Sequence, residues 1–218
     1  MSDESLPIVD GSSIGPSSRE ATVAGVLLAA GTSSRFGDRN KLLASIDGDP
    51  IVVHAARTLR RSAVESVIVI VGHEADRVRT ALADLDVTII ENDAYAEGQA
   101  TSVRTGVEAI EEADPTVDAA VFALGDMPFV APETVDTLIE AFRAAVGTAL
   151  AAAFEGQRGN PVLFSAEHFP ALADVDGDVG GRAILLEHGT LIDTGDPGVV
   201  ADIDTPSDLD QFRDRHVE

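Results

Sequence analysis

Short runs of apolar residues alternate with longer segments of helical periodicity along most of the chain. Val23 to Ala30 and Val64 to Val71 are continuous apolar runs, which is typical of strands buried on both faces of a parallel sheet. Pro50 to Arg61 lies between them and has apolar residues at helical spacing behind a proline suited to a first helical turn. The pattern predicts a strand, a helix and a second strand in that order.

The same rhythm continues to about residue 146. Residues 74–85, 98–112 and 131–146 predict helices, and residues 87–91 and 117–124 predict strands. This alternation predicts an α/β fold with three layers, in which a mostly parallel sheet has helices on both faces. Ligands of such sheets bind at the carboxyl ends of the strands, so we expect the loops after Ala30 and Leu124 to be neighbours.

The rhythm changes after Leu150. Ala151 to Glu155 and Pro161 to Phe164 are two short apolar segments around a turn-forming stretch, Gly156 to Asn160. This pattern predicts a hairpin lying across the sheet.

The length of 218 residues fits one domain, which we place at residues 21–218. Residues 1–20 are rich in acidic residues, Ser and Gly, and they have neither the basic start nor the apolar core of a secretory signal. We expect a disordered acidic tail and a cytoplasmic protein.

The formal net charge of −23 limits the partners of the chain. It disfavours nucleic acid and anionic membranes, and the longest apolar runs are too short to cross a bilayer. The absence of cysteine excludes disulfides, thiolate metal sites and a cysteine nucleophile. Because the acidity extends along the whole chain and nearly all basic residues are Arg, we interpret the protein as halophilic.

A loop after the first strand has the composition of a phosphate site. Leu28 to Gly37 and Asn40 to Leu43 offer small residues, backbone N–H groups, Arg35 and Lys41 directly after a buried strand. The loop has neither the Gly-Lys-Ser/Thr of a Walker loop nor the Gly-x-Gly-x-x-Gly of dinucleotide folds. Its composition alone is equally compatible with turn glycines and a solvated arginine. Lys41 favours phosphate binding, because it is the only lysine among 15 basic residues.

Two further motifs offer carboxylates. Val121 to Leu124 delivers Asp126 at the carboxyl end of an apolar strand, where it is placed to hold Mg²⁺. Asp202 and Asp204 alternate before a helix that Thr205 would cap. Asp204 is the better-placed second metal ligand, and Asp202 is the alternative.

Together these motifs resemble the molybdenum cofactor cytidylyltransferase branch of the molybdopterin nucleotidyltransferases. Residues 28–43 are similar to its pattern Leu-Ala-Ala-Gly-x-Ser-x-Arg-x-Gly-x-x-Lys-Leu-Leu, with Phe36 where Met is usual and Lys41 one position later. Gly125-Asp126-Met127-Pro128 and residues 202–206 complete the resemblance, which extends from about Val23 to the C-terminus. It implies a Rossmann-type fold like that of the nucleotide-diphospho-sugar transferases.

The resemblance also implies roles for individual residues. The residues expected to be catalytic are Lys41, Arg35 and Asp126, and the expected Mg²⁺ ligands are Asp126 and Asp204. The residues expected to bind the nucleotide are Leu28, Ala29, Ala30, Gly31, Arg35, Lys41, Gly98, Ser102 and Gly125. The family's pattern Asn-x-x-Tyr/Trp-x-x-Gly is matched at Asn92, Tyr95 and Gly98, and Ser102 lies four residues beyond it.

Two glycine-rich segments resemble the acceptor side of the family. They contain Arg158, Asn160, Asp178 and Arg182, which would bind an anionic pterin phosphate. The other interpretation is that both segments are surface loops with unrelated arginines.

The implied reaction transfers CMP from CTP to the phosphate of the molybdenum cofactor, with Mg²⁺ as the metal. A transient complex with a molybdenum hydroxylase is the expected protein interaction. Ala30 favours CTP, since guanylyl-transferring relatives usually have Leu-Ala-Gly-Gly here. The alternatives are GTP, another acceptor such as a sugar phosphate or phospholactate, or a cofactor carrier for a molybdenum hydroxylase.

Overall fold

The computed structural model describes residues 6–33, 36–37, 39–174 and 181–209. Its strands are β1 (Ile8–Asp10), β2 (Val23–Ala29), β3 (Ser45–Ile46), β4 (Asp49–Pro50), β5 (Ser66–Val71), β6 (Thr88–Glu91), β7 (Ala119–Leu124), β8 (Ala149–Phe154), β9 (Gln157–Ser165) and β10 (Gly189–Asp193). Its α-helices are α1 (Ile51–Arg61), α2 (Ala75–Ala81), α3 (Gln99–Ala113), α4 (Pro132–Arg143), α5 (Phe169–Ala173) and α6 (Arg182–His188).

Eight of these strands form one sheet in the order β1-β10-β8-β9-β7-β2-β5-β6. Every neighbouring pair is parallel except those of β9, which runs antiparallel to both β7 and β8. The two remaining strands, β3 and β4, form a small antiparallel pair just before α1. The predicted mostly parallel α/β sheet is confirmed.

Helices cover both faces of the sheet. Successive side chains of a strand point to opposite faces, so each strand packs against helices on both sides. In β5, Val69 packs in the core cluster shared with α1, α2 and α4. Its neighbours Ile68 and Ile70 pack in the cluster shared with α3, α5 and α6. Both faces of a central strand must therefore be apolar, which explains the continuous runs in the sequence. Burying each such side chain contributes about 1.5–3 kcal/mol.

The predicted hairpin is present, but it lies within the sheet and not across it. β8 and β9 are its two strands, joined by a turn at Glu155 and Gly156. β9 pairs with β7 on its other side, with Phe122 opposite Val162. The hairpin therefore joins the two halves of the sheet.

The prediction of a disordered tail is wrong over residues 6–20. β1 extends the sheet by parallel pairing with β10, in which Val9 lies opposite Ile192. Leu6 is buried, and Ser17 donates a hydrogen bond to the backbone carbonyl of Arg143. The physical reason is that a strand at the edge of a sheet needs only a few apolar residues when its backbone pairs with a buried neighbour.

The topology brings the two loops of interest together. β2 and β7 are adjacent, with Leu28 opposite Leu124, and the backbone N–H of Gly125 donates to the carbonyl of Leu28 over 2.9 Å. The expectation that the loops after Ala30 and Leu124 are neighbours is confirmed. Within the described ranges, no helix is long and apolar enough to span a membrane.

Candidate active site

Three charged side chains converge at the carboxyl ends of β2 and β7. The ammonium nitrogen of Lys41 lies 2.5 Å from Oδ2 of Asp126 and 2.8 Å from Oδ1 of Asp204. The side chains are 14%, 19% and 32% exposed, respectively, so the cluster is partly shielded from water. We call it the Lys41–Asp126–Asp204 cluster. It joins residues that are as much as 163 positions apart in the sequence.

Backbone hydrogen bonds hold Asp204 in this position. The N–H of Ile203, which is fully buried, donates to the carbonyl of Asp126 over 3.1 Å. The carboxylate of Asp208 accepts hydrogen bonds from the backbone N–H groups of Asp204 and Thr205. The hydroxyl of Thr205 in turn accepts from the N–H of Asp208, which is the reciprocal arrangement of a capping box. The predicted cap at Thr205 is therefore present, and it orients the neighbouring Asp204.

The 3-10 helix Lys41–Leu43 positions Lys41. The backbone N–H of Lys41 donates to the hydroxyl of Ser33 over 3.1 Å. Asn40 caps the turn through a hydrogen bond from the N–H of Leu42, and its amide nitrogen donates to the carbonyl of His73. Asn40 and Ser33 are both buried, so the loop after β2 is anchored by buried hydrogen bonds next to Lys41.

The environment of Lys41 keeps its side chain positively charged. Burial alone lowers the pKa of Lys41, and this is the largest single contribution. The charges of Asp126 and Asp204 and their hydrogen bonds to the ammonium together outweigh it, so the pKa is raised above its ordinary value. Lys41 therefore presents a fixed positive charge at neutral pH.

The donor set of the cluster fits Mg²⁺. Mg²⁺ prefers oxygen ligands and is usually bound by one or two carboxylates together with waters and substrate phosphates. Asp126 and Asp204 both reach one ammonium group, so their carboxylates converge on a space that one cation can share. Across the described residues, no group of three or more His, Asp or Glu side chains forms a metal site, so further ligands would come from substrate or water.

The cluster lies in the wall of a cavity of about 430 Å³, which we call the first cavity. Strand β2, the loop after it and the start of α3 supply most of the wall. The lining residues are Leu28, Ala30, Gly31, Thr32, Ser33, Lys41, Leu42, Tyr95, Ala96, Gly98, Gln99, Ser102, Leu124, Asp126 and Asp204.

A buried asparagine organises the α3 side of the first cavity. The amide nitrogen of Asn92 donates to the hydroxyls of Thr101 and Ser102, over 2.9 Å and 3.0 Å. The hydroxyl of Thr101 donates to the carbonyl of Gly98 over 2.8 Å. Gly98 has a φ of 121°, a conformation that favours glycine and lets α3 begin at the cavity wall.

A second cavity, of about 250 Å³, adjoins the first. Arg158, Asn160 and Arg182 line it, so the structure brings together three of the four residues expected to bind the acceptor. The rest of its wall is mostly apolar and includes Phe122 and Phe164. This cavity offers cationic groups beside a mostly apolar wall.

Gly159, between Arg158 and Asn160, lets two segments of the chain pack closely together. A Cβ atom at Gly159 would lie 2.1 Å from the carbonyl oxygen of Val199, so β9 packs directly on the backbone of the 3-10 helix Pro197–Val200. Glycine at position 159 is therefore required by packing between two segments of the chain.

Some expected site residues lie elsewhere. Ala29 and Gly125 are buried behind the wall of the first cavity, where a Cβ at Gly125 would lie 3.3 Å from Cβ of Ala29. Asp202 is exposed and lines neither cavity, so of the two alternative acids only Asp204 joins the cluster. Arg35 and Asp178 lie outside the described residues.

Sequence reasoning missed several lining residues. Thr32, Ser33 and Ala96 belong to loops whose composition gives no individual signal. Gln99 lines both cavities, and its signal was available, since it directly follows Gly98 at the start of a predicted helix near the site.

Comparison with known proteins places this chain in a family. Residues 25–191 match the model of the MobA-like NTP transferase domain. The nicotine blue oxidoreductase of Paenarthrobacter nicotinovorans is 32% identical over 195 residues, which cover 84% of this chain and 92% of that protein. The purine catabolism protein PucB of Bacillus subtilis is 29% identical over 207 residues, which cover 89% of this chain and 98% of that protein.

Solved structures agree with this placement. The crystal structure of Rv0371c from Mycobacterium tuberculosis has a TM-score of 0.78 and 27% identity, covering 89% of this chain and all of that one. A second structure of Rv0371c, a complex with manganese, has a TM-score of 0.72 and 25% identity, covering 88% of this chain and 98% of the other.

Proposed function

Because the chain belongs to the family of MobA-like NTP transferase domains, we propose that this nucleotidyltransferase moves CMP from CTP to the phosphate of the molybdenum cofactor. Pyrophosphate is the second product, and Mg²⁺ is the metal cofactor. The observation that supports this most directly is the Lys41–Asp126–Asp204 cluster, placed in a cavity that adjoins a second, arginine-lined cavity.

In this reaction, an oxygen of the acceptor phosphate attacks the α-phosphorus of CTP. A new P–O bond forms to the acceptor, the bond to the β-phosphate oxygen breaks, and its electron pair leaves with pyrophosphate. The attacking oxygen is already ionised, so no strong general base is required. Positioning and charge neutralisation account for most of the rate acceleration in such transfers.

Lys41 provides positive charge in the first cavity, where the triphosphate would bind. Its position is fixed by Ser33 and by the cap of Asn40, so little reorganisation is needed when charge develops on the leaving pyrophosphate. Arg35 is proposed for the same phosphates. Asp126 and Asp204 would hold Mg²⁺, which supplies Lewis-acid neutralisation of phosphate oxygens when bound.

The second cavity supports a phosphorylated aromatic acceptor. Arg158 and Arg182 suit an anionic group, and the mostly apolar remainder of the wall suits a flat heterocycle such as a pterin. Ala30, which lines the first cavity, supports CTP in preference to GTP. The name of the Paenarthrobacter relative describes a redox activity, but residues 28–43 of this chain lack the Gly-x-Gly-x-x-Gly of dinucleotide folds.

The test is pyrophosphate release from CTP, GTP, ATP and UTP, with Mg²⁺ and molybdenum cofactor, at high salt. We expect release from CTP alone, dependent on the cofactor, and lost by about 10²-fold or more in Lys41→Ala and Asp126→Ala. Asp204→Asn should behave like Asp126→Ala, while its matched control Asp202→Asn, exposed and outside both cavities, should keep full activity.

The other outcomes separate the alternatives. Faster release from GTP would overturn the assigned base. Release that ignores the molybdenum cofactor but responds to a sugar phosphate or phospholactate would overturn the assigned acceptor. Tight binding of the cofactor without any release would favour a carrier that delivers it to a molybdenum hydroxylase.

A further inference from the structure

The two cavities share a wall made of three residues, Leu28, Gln99 and Leu124. Leu28 and Leu124 are opposite each other on the paired strands β2 and β7, so they form an apolar floor at the junction. Gln99 is the first residue of α3 and the one polar side chain that this shared wall contains among the described residues. Any hydrogen bond from the shared wall through a side chain must come from Gln99.

The amide of Gln99 is available for such a bond. The residue is exposed, and its side chain makes no hydrogen bond to another described residue. An amide group has two donor hydrogens and a carbonyl acceptor at one end of a flexible side chain, and it is uncharged. It can therefore donate to one ligand and accept from, or donate to, another.

The backbone beneath Gln99 is fixed, in contrast to its amide. Gly98 has the positive φ described above, and its carbonyl accepts from Thr101, whose hydroxyl is tied to the buried Asn92. The side chain therefore projects from a constant position at the junction, and it does not depend on a mobile loop for its placement.

The charges of the two cavities explain why a neutral group fits between them. Lys41 provides the positive charge in the first cavity, and Arg158 and Arg182 do so in the second. A further cation at the junction would hold two anionic substrates without distinguishing their orientation. An amide adds directional hydrogen bonds and no charge.

We propose that Gln99 bridges the two substrates, with its amide hydrogen-bonded to the donor nucleotide on one side and to the acceptor on the other, so that the two substrates bind cooperatively. The inference rests on the proposed function for the presence of two substrates. It adds a residue for which the sequence motifs assign no role.

The experiment measures binding coupling by calorimetry with the full chain. The donor probe is the α,β-methylene analogue of whichever nucleotide, CTP or GTP, wild type binds more tightly, with Mg²⁺, and the acceptor probe is molybdopterin. We expect molybdopterin to tighten binding of the donor analogue about tenfold in wild type, a typical size for coupling between sites. Gln99→Leu, similar in size but without the amide, should reduce this factor to about one.

Two further variants separate bridging from a structural role. Glu97→Gln is the matched control, because Glu97 is exposed, lies two residues before Gln99 and lines neither cavity; it should keep the wild-type coupling. Gln99→Asn keeps the amide on a shorter side chain and should give intermediate coupling. Melting temperatures of all variants should match wild type, since the side chains are exposed.

Retention of full coupling by Gln99→Leu overturns the inference, and so does a wild-type protein that binds the donor analogue without any response to molybdopterin. The pyrophosphate assay with Asp126→Ala and Lys41→Ala decides the proposed function separately. A protein that transfers nucleotide but shows no dependence on Gln99 would leave that function intact and refute the bridge.

Discussion

Gly72 lies directly beneath Tyr95, and a Cβ atom at position 72 would come within 2.6 Å of Cβ of Tyr95. Gly72 follows β5, and Tyr95 lines the first cavity. The ring of His73 is tilted against the tyrosine ring, with 6.1 Å between ring centroids. The glycine therefore lets the wall of the cavity stand close to the sheet.

Gly72→Ala should displace Tyr95 and weaken nucleotide binding. Overpacking of this kind costs about 1–3 kcal/mol. We expect the KM for the nucleotide to rise several-fold with a smaller change in kcat, measured by pyrophosphate release. Gly15→Ala is the control, because a Cβ there meets no atom within 4 Å. Equal effects of the two substitutions would show that the contact with Tyr95 is unimportant.

Asp208→Ala should impair the site although Asp208 lines neither cavity. Its carboxylate caps the turn at Thr205 and accepts from the backbone N–H of Asp204. Loss of a helix cap costs about 0.5–2 kcal/mol, and here it also releases Asp204. We expect lower affinity for Mg²⁺ in the presence of nucleotide, seen as a higher Mg²⁺ concentration at half-maximal rate. Ser207→Ala, on the exposed side of the same turn, should leave that concentration unchanged.

Stability should fall as the pH decreases below about 6.5 because of His168. Burial lowers the pKa of His168 from its ordinary value of 6.5; Glu167 opposes this shift and His188, stacked at 5.4 Å between centroids, adds to it. The folded state then binds the proton more weakly than the unfolded state, so protonation favours unfolding.

The measurement is urea unfolding of wild type and His168→Gln at pH 8 and pH 5.5. Glutamine can keep the hydrogen bond to the hydroxyl of Thr148. The free energy of unfolding of wild type relative to the variant should be lower at pH 5.5 than at pH 8. An identical difference at both pH values would refute the assigned contribution.

The acidic composition predicts stabilisation by salt. A net charge of −23 on 218 residues favours expansion through self-repulsion. Screening lengths shorten from about 10 Å at 0.1 M salt to about 3 Å at 1 M. We expect the melting temperature to rise as the KCl concentration increases. A constant or falling melting temperature would contradict the hypothesis that the protein is halophilic.

Much of the fold was readable because buried parallel strands have few alternatives. Val67 to Val71 must be apolar at every position to pack on both faces, and such runs are easily recognised. Asp126 was predictable for a related reason: a polar side chain just after a buried strand lies at the edge of the sheet where ligands bind. Asp204 follows the 3-10 helix Pro197–Val200 and not a strand, so it was found only through the motif at residues 202–206.

The edge strand β1 was not predictable, because its stability comes from a partner far away in the sequence. Ile8 is 52% exposed, and its neighbourhood is rich in Ser and Gly, so local composition indicates no structure. Pairing with Leu191 overrides that composition. For Gln99, the neighbouring Gly98 indicated a position near the site, but a wall shared by two cavities depends on packing that no local pattern encodes.

β9 runs antiparallel to its neighbours, and the two cavities of the site are lined by different parts of the fold. Residues around the first cavity come mainly from segments that follow parallel strands, whereas Arg158 and Asn160 come from the beginning of an antiparallel strand in the β8–β9 hairpin. The side chains of Arg158 and Asn160 can therefore change while the Lys41–Asp126–Asp204 cluster, which comes from other segments, is kept. Under the proposed function, a fold of this design can acquire a new acceptor by changing side chains of one hairpin and of the start of α6, while its donor chemistry is inherited unchanged.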